Sequence, residues 1–150
     1  MKIPYVDLSY KKKNSIKPLT TIFQKILKKG QFVGGDQVNI FEKKIAKLCN
    51  TKYAVALNSG TDALTLALHL LGVKKGDEVI TPPNSFIAST AVIVHLGAKP
   101  VFVDVLDDQN IDPSKIQKAI TKKTKVIMPV HLSGRMCRMD EIISIAKKNK

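Results

Sequence analysis

Apolar residues recur along this chain in two different rhythms. Over residues 16–29 they return every three or four positions as Ile22, Phe23, Ile26 and Leu27. A second such stretch holds Val38, Ile40, Phe41, Ile45, Ala46 and Leu48 and stops by Asn50. This spacing puts each set on one face and predicts two amphipathic helices, with the second set buried. Gly30 ends the first helix and the Gly34-Gly35 turn precedes the second. From residue 53 the rhythm changes to short apolar runs near 53–58, 78–81, 101–105 and 125–130. Such runs fit strands covered on both faces. Helical stretches follow them at 61–71, about 84–96, about 113–120 and about 138–149, the third with Asp112 as its N-cap and Pro113 at its first position. Strands separated by crossover helices cannot pair as hairpins. The expected fold is therefore α/β, a mostly parallel sheet with helices on both faces, preceded by a helical arm. The expected domains are an arm over residues 1–50 and a sheet domain over residues 51–150. Residues 1–15 read as extended or loosely ordered.

Ligands of such sheets bind where the strands end. The carboxyl ends of the four runs carry NSGTD, TPPNSF, Asp104 and HLSG. In the first, the polar turn at residues 58–62 sits at the start of a leucine- and alanine-rich helix. The first N–H groups of a helix lack intrahelical partners, and the macrodipole places partial positive charge there. Gly60 would let a ligand approach the backbone, and the hydroxyls of Ser59 and Thr61 can donate to an anion. A plain cap by Ser59 or Thr61, with Asp62 complementing the dipole, accounts for the same residues. Pro82-Pro83 cannot lie inside a central strand, so they form a turn that delivers Asn84, Ser85 and Phe86 to the same edge. Phe86 is either a core residue or a plate for a planar ring. His131 ends the last run and is either a ligand-edge or a structural residue. His69 and His95 fall on helix faces.

Charge alters this picture little. The net charge is +13, but of 25 basic residues only Arg135 and Arg138 are arginines, and no aromatic-arginine interleaving is present to stack bases. A solvated lysine surface is the reading, with no nucleic-acid partner. Hydrophobic residues are 44% and no run approaches the ~18 apolar residues of a membrane span, so no membrane association is expected. The first residues lack the apolar core of a secretory signal, which makes a cytoplasmic location the expectation. Cys49 and Cys137 are read as unpaired thiols, and no metal-ligand spacing is present.

Several blocks in order resemble the DegT/StrS-type sugar aminotransferases. They are QFVGGDQVNIFEKKIA, ALNSGTDALTLALHLLGVKKGDEVITPPNSFIAS, LGAKPVFVDV followed by NIDPSKI, and TKKTKVIMPVHLSGRMCRMDEI. The resemblance implies the N-terminal portion of an aspartate-aminotransferase-like large domain, and pyridoxal phosphate as cofactor. It implies transfer of an amino group, commonly from glutamate, to a keto group on a nucleotide-linked sugar, in a homodimer. Gly60, Thr61 and Asp62 would hold the cofactor phosphate and Phe86 would stack on its ring. Ser59 and His131 would lie beside the cofactor, and Gly34, Asn84 and Ser85 toward the substrate. The family's Schiff-base lysine and its pyridine-pairing aspartate would fall beyond residue 150, as would a small C-terminal domain. Two other readings stay open: a sugar dehydratase of the same family, and a non-catalytic module that binds a phosphosugar or nucleotide.

Overall fold

The computed structural model describes residues 16–149, so the expectation for residues 1–15 lies outside the described residues. The chain divides into two compact units, one ending at Ala56 and the other beginning at Leu57.

The first unit holds α1 (Ile16–Lys29) and α2 (Asp36–Leu48). Gly30 stops α1 by turning to φ +64°, a conformation that glycine adopts without penalty, while its N–H bonds back to the Ile26 carbonyl at 3.0 Å. Both helices stand where the apolar period places them, but the face of α2 is not buried as expected. In α2 only Ala46 is buried, Val38 and Ile45 are half-buried, and Ile40, Phe41 and Leu48 are exposed. No residue of α1 is buried. A 3.6-residue period states which side chains share a face, not what covers that face.

The segment expected as the first strand joins no sheet among the described residues. Tyr53 is 72% exposed and Val55 is 75% exposed. A strand exists only through a ladder with a neighbour, and no described residue supplies one. The Ala56 N–H bonds instead to the Glu42 carboxylate, at 2.8 Å.

In the second unit the order is α3 (Gly60–Leu70), β1 (Glu78–Thr81), α4 (Ala88–His95), β2 (Lys99–Phe102), α5 (Pro113–Ala119), β3 (Thr124–Ile127) and α6 (Met139–Lys148). The sheet has three strands in the order β2-β1-β3, all parallel, with β1 in the centre. Every residue of β1 is buried. Its side chains alternate between two cores, as the pleat requires. Val79 packs with Leu68, Val92 and Ile93 on the α3–α4 side, while Ile80 packs with Ile111, Ile116 and Ile142 on the α5–α6 side. Parallel order with helices on both faces is thus the architecture found. Of the expected helices, α4 differs most, beginning at Ala88 rather than near residue 84. The turn formed by Pro82-Pro83 and Asn84 uses the residues in between, and Ser85 Oγ bonds Ser89 Oγ at 2.8 Å where the helix starts.

Asp112 caps α5 as expected. Its Oδ1 accepts from the Ser114 N–H at 2.9 Å and from the Ser114 hydroxyl at 2.7 Å. The Ser114 hydroxyl is the larger cause, ahead of the Ser114 N–H and the Lys115 ammonium, by which the carboxyl is held below its usual range. A carboxyl depressed on folding stabilises above its unfolded pKa and loses that effect as pH falls through the folded value. Replacing Asp112 with Ala should therefore cost about 1 kcal/mol at neutral pH. The gap between the two proteins should begin to narrow below about pH 4, the unfolded value of an aspartate, and keep narrowing toward the lower folded value. Paired denaturant melts at pH 7 and pH 3 check this, and a gap as wide at pH 3 as at pH 7 would contradict it.

Candidate functional site

Three loops leave the carboxyl ends of the strands, and α3 brings a fourth feature to the same edge. Its C-terminus feeds the amino end of β1 through residues 71–77, so its N-terminus points toward the carboxyl edge. There Ser59 is the N-cap, in extended conformation. Its Oγ accepts from the Asp62 N–H and donates to the Asp62 carboxylate, each at 3.1 Å. Ser59 and Asp62 are thus engaged with one another in a cap. The N–H groups of Gly60 and Thr61 and the Thr61 hydroxyl find no acceptor among the described residues. A Cβ built on Gly60 would meet nothing within 4 Å, so the space over these donors is open. The two readings of the turn divide between its residues. Ser59 and Asp62 shape it, while Gly60 and Thr61 keep free donors at a helix N-terminus.

The loop after β1 begins with a fully buried Pro82 and an exposed Pro83. Phe86 is 77% exposed, which removes it from the core. Ser85 is tied to Ser89, and Asn84 Nδ2 donates to the Gln109 carbonyl at 3.0 Å. Thr81, the last residue of β1, has the one buried side-chain oxygen without a partner among the described residues. After β2, Asp104 is committed elsewhere. It accepts from Lys115 Nζ at 3.0 Å and from the Val105 N–H at 2.9 Å, and the lysine holds its carboxyl below the usual range.

After β3, His131 is exposed and opens a one-turn 3-10 segment, Leu132–Gly134. His131 Nδ1 accepts from the Cys137 N–H at 3.1 Å, and Cys137 Sγ donates to the Val130 carbonyl at 3.2 Å. Burial, with a smaller contribution from the Asp108 charge, pushes the Cys137 thiol up, so it is a packed and unreactive group. Gly34 belongs to the first unit, where with Gly35, Lys25, Lys29 and Phe32 it lines a cavity of 390 Å³. Asn110, which the sequence did not single out, and Cys137, read there only as an unpaired thiol, hold the loop after β3.

The sequence matches the DegT/DnrJ/EryC1/StrS aminotransferase family over residues 15–150. The chain belongs to this family. It is similar to the dTDP-3-amino-3,6-dideoxy-alpha-D-galactopyranose transaminase of Aneurinibacillus thermoaerophilus, with 42% identity over 97% of this chain and 40% of that one. Among solved structures it resembles S. venezuelae DesV, with a TM-score of 0.91 and 36% identity over 98% of this chain and 40% of that one. It also resembles Bacillus subtilis NtdA with bound cofactor PMP, with a TM-score of 0.87 and 37% identity over 91% of this chain and 32% of that one. The chain thus spans about two fifths or less of the length of these relatives.

Pyridoxal phosphate is the cofactor of this family. The turn at Gly60-Thr61 fits its phosphate, with two unspent backbone donors, a free hydroxyl and open space where the helix dipole favours an anion. A hydrogen bond to a charged acceptor contributes ~1.5–3 kcal/mol, so Thr61→Val, which keeps the shape and removes the donor, should weaken cofactor binding by about tenfold or more. A fluorescence titration of the complete protein with pyridoxal phosphate measures this, and an unchanged dissociation constant would remove Thr61 from the site.

Proposed function

We propose that the complete protein is a pyridoxal-phosphate-dependent aminotransferase that moves an amino group from L-glutamate to a keto group on a nucleotide-linked sugar. The observation that carries the reading is the open donor set of Gly60 and Thr61 at the N-terminus of α3, in a chain of this family. When bound, pyridoxal phosphate supplies the electron sink for deprotonating the amino-bearing carbon and carries the amino group between donor and acceptor.

The residues of this chain have the tasks of binding and orienting. Gly60 and Thr61 anchor the phosphate, while Ser59 and Asp62 keep the turn in the shape that leaves those donors free. Phe86 offers an exposed aromatic face at the same edge, and stacking on a planar ring contributes ~0.5–1.5 kcal/mol beyond area burial. His131, four residues past β3, is assigned to the cofactor side. Asn84 and Ser85 shape the loop that carries Phe86, and Gly34 is assigned to the substrate side. The lysine that holds the cofactor covalently and relays the proton is placed beyond residue 150, as is the aspartate for the pyridine nitrogen. No helix among the described residues is long and apolar enough to cross a membrane, and a cytoplasmic location accords with a soluble nucleotide-linked substrate.

Half-reactions test the proposal. Adding L-glutamate alone to the complete, cofactor-loaded protein should convert the aldehyde form of the cofactor to its amine form and release 2-oxoglutarate. A nucleotide-linked keto sugar should then restore the aldehyde form. A protein that ignores every amino acid yet eliminates water from the sugar would be the dehydratase instead.

The exposed apolar face of α1, with Leu19, Phe23 and Leu27, supports a homodimer that covers it. Light scattering of the complete protein should give twice the chain mass, and Phe23→Glu should shift it toward monomer. A wild-type monomer that still transaminates would refute this assignment.

A further inference from the structure

Between the loops after β2 and β3 lies one side chain that touches both and reaches the first loop through its neighbour. Asn110 is 2% exposed. Its Oδ1 accepts from the Leu132 N–H at 3.2 Å, and its Nδ2 donates to the carbonyls of Arg135 at 3.2 Å and Met136 at 3.4 Å. Its own N–H is held by the Asp108 carboxylate at 3.0 Å. The preceding residue, Gln109, supplies the carbonyl that takes the Asn84 side chain from the loop after β1. One carboxamide thus fixes the segment between His131 and Cys137, and its turn is tied to the loop that carries Phe86.

The backbone shows what this tie resists. Gln109 at φ +66° and Ser133 at φ +52° are non-glycine residues in the left-handed region. Such conformations persist only where the surroundings enforce them. Gln109 is next to Asn110, and Ser133 lies between Leu132 and Arg135, both of which Asn110 grips. The outcome is read at His131. Because its Nδ1 accepts the Cys137 N–H, Nδ1 carries no proton, and the neutral ring carries its hydrogen on Nε2.

We propose that Asn110 is the positioning residue for His131: it sets the path of residues 132–136 so that the Cys137 N–H meets Nδ1, and His131 is thereby presented at the carboxyl end of β3 as an Nε2–H donor. The ligand atom that such a donor suits is an oxygen or nitrogen acceptor on the cofactor or substrate. The inference deepens the reading of His131 as a cofactor-side residue. Its test is made without cofactor, so failure of that reading and failure of this one are distinguishable.

The complete protein is uniformly labelled with ¹³C and ¹⁵N, and two-bond proton–nitrogen correlation spectra are recorded at neutral pH for wild type, Asn110→Ala and Asn110→Asp. His131→Gln assigns the signal. In wild type, His131 should show one protonated and one unprotonated nitrogen, with coupling across the hydrogen bond to the Cys137 nitrogen. Both variants should lose that pattern to an averaged tautomer mixture, while His69 and His95 stay unchanged. Asn110→Asp keeps the size and the acceptor but turns an oxygen toward two carbonyls, so a merely space-filling role would leave it silent. An unaltered His131 pattern in both variants, or its absence from wild type, overturns the proposal. If the variants unfold and all histidine signals move, the wild-type protein decides: slow exchange of the Asn110 side-chain NH₂, with coupling to the Arg135 or Met136 carbonyl, sustains it, and free exchange overturns it.

Discussion

The second unit depends on the complete burial of β1. Glu78, Val79, Ile80 and Thr81 are all buried; the first three are paired on both edges and Thr81 on the β2 edge. Val79 and Ile80 stabilise by ~1.5–3 kcal/mol each through burial alone, and they do so in opposite cores, which is why helices must occupy both sides of the sheet. The polar ends of the strand are handled separately. Glu78 is kept inside by the Thr121 hydroxyl at 2.6 Å and by Lys99 at 3.8 Å, so a carboxylate can sit at the amino edge with partners for its oxygens. Thr81 at the other end has a buried hydroxyl without such a partner.

That asymmetry separates the two edges of the sheet. The amino edge is closed by hydrogen bonds, as when the Glu78 N–H meets the Lys123 carbonyl at 2.8 Å. At the carboxyl edge the chain leaves each strand through loops whose polar side chains bond chiefly to backbone: Asn84 to Gln109, Asn110 to residues 132–136, His131 to the Cys137 N–H and Cys137 to the Val130 carbonyl. Loops braced in this way spend their internal donors on one another and leave a few groups unspent, namely the N–H groups of Gly60 and Thr61, the Thr61 hydroxyl and the face of Phe86. Free donors at a helix N-terminus suit an anion, and an exposed aromatic face suits a planar ring; pyridoxal phosphate carries both kinds of group.

How much of this was legible in the sequence follows from how local each signal is. Helix ends marked by Gly30, Gly72 and the Asp112-Pro113 pair are set by neighbouring residues and stand where expected. The three-stranded parallel sheet follows from apolar runs spaced by crossover helices. The run at residues 53–57 misled because its composition is that of a buried strand, while a ladder needs a partner that composition cannot reveal. The start of α4 was misplaced because a Pro-Pro turn and a Ser85–Ser89 contact decide it, not propensity. In the site, SGT could be read as a cap or as an anion turn, and only coordinates separate Ser59 and Asp62 from Gly60 and Thr61. Asn110 could not be found by local reading, since its partner Leu132 is 22 positions away.

Unspent apolar surface follows from the same physics. Soluble monomers rarely leave large apolar faces uncovered, yet here Phe23 and Leu27 of α1, Phe41 of α2, and Tyr53 and Val55 of the segment at residues 53–57 all lie open. Two kinds of surface are involved, and they call for different partners. The α1 face is a helical stripe whose backbone is satisfied within the helix, so side-chain packing alone can cover it. The segment at residues 53–57 instead has backbone groups without ladder partners among the described residues, so apolar contact alone would leave N–H and C=O groups wanting. A single covering surface therefore does not serve both. The helical stripe calls for apolar side chains against it, whereas the segment at residues 53–57 calls for backbone donors and acceptors as well.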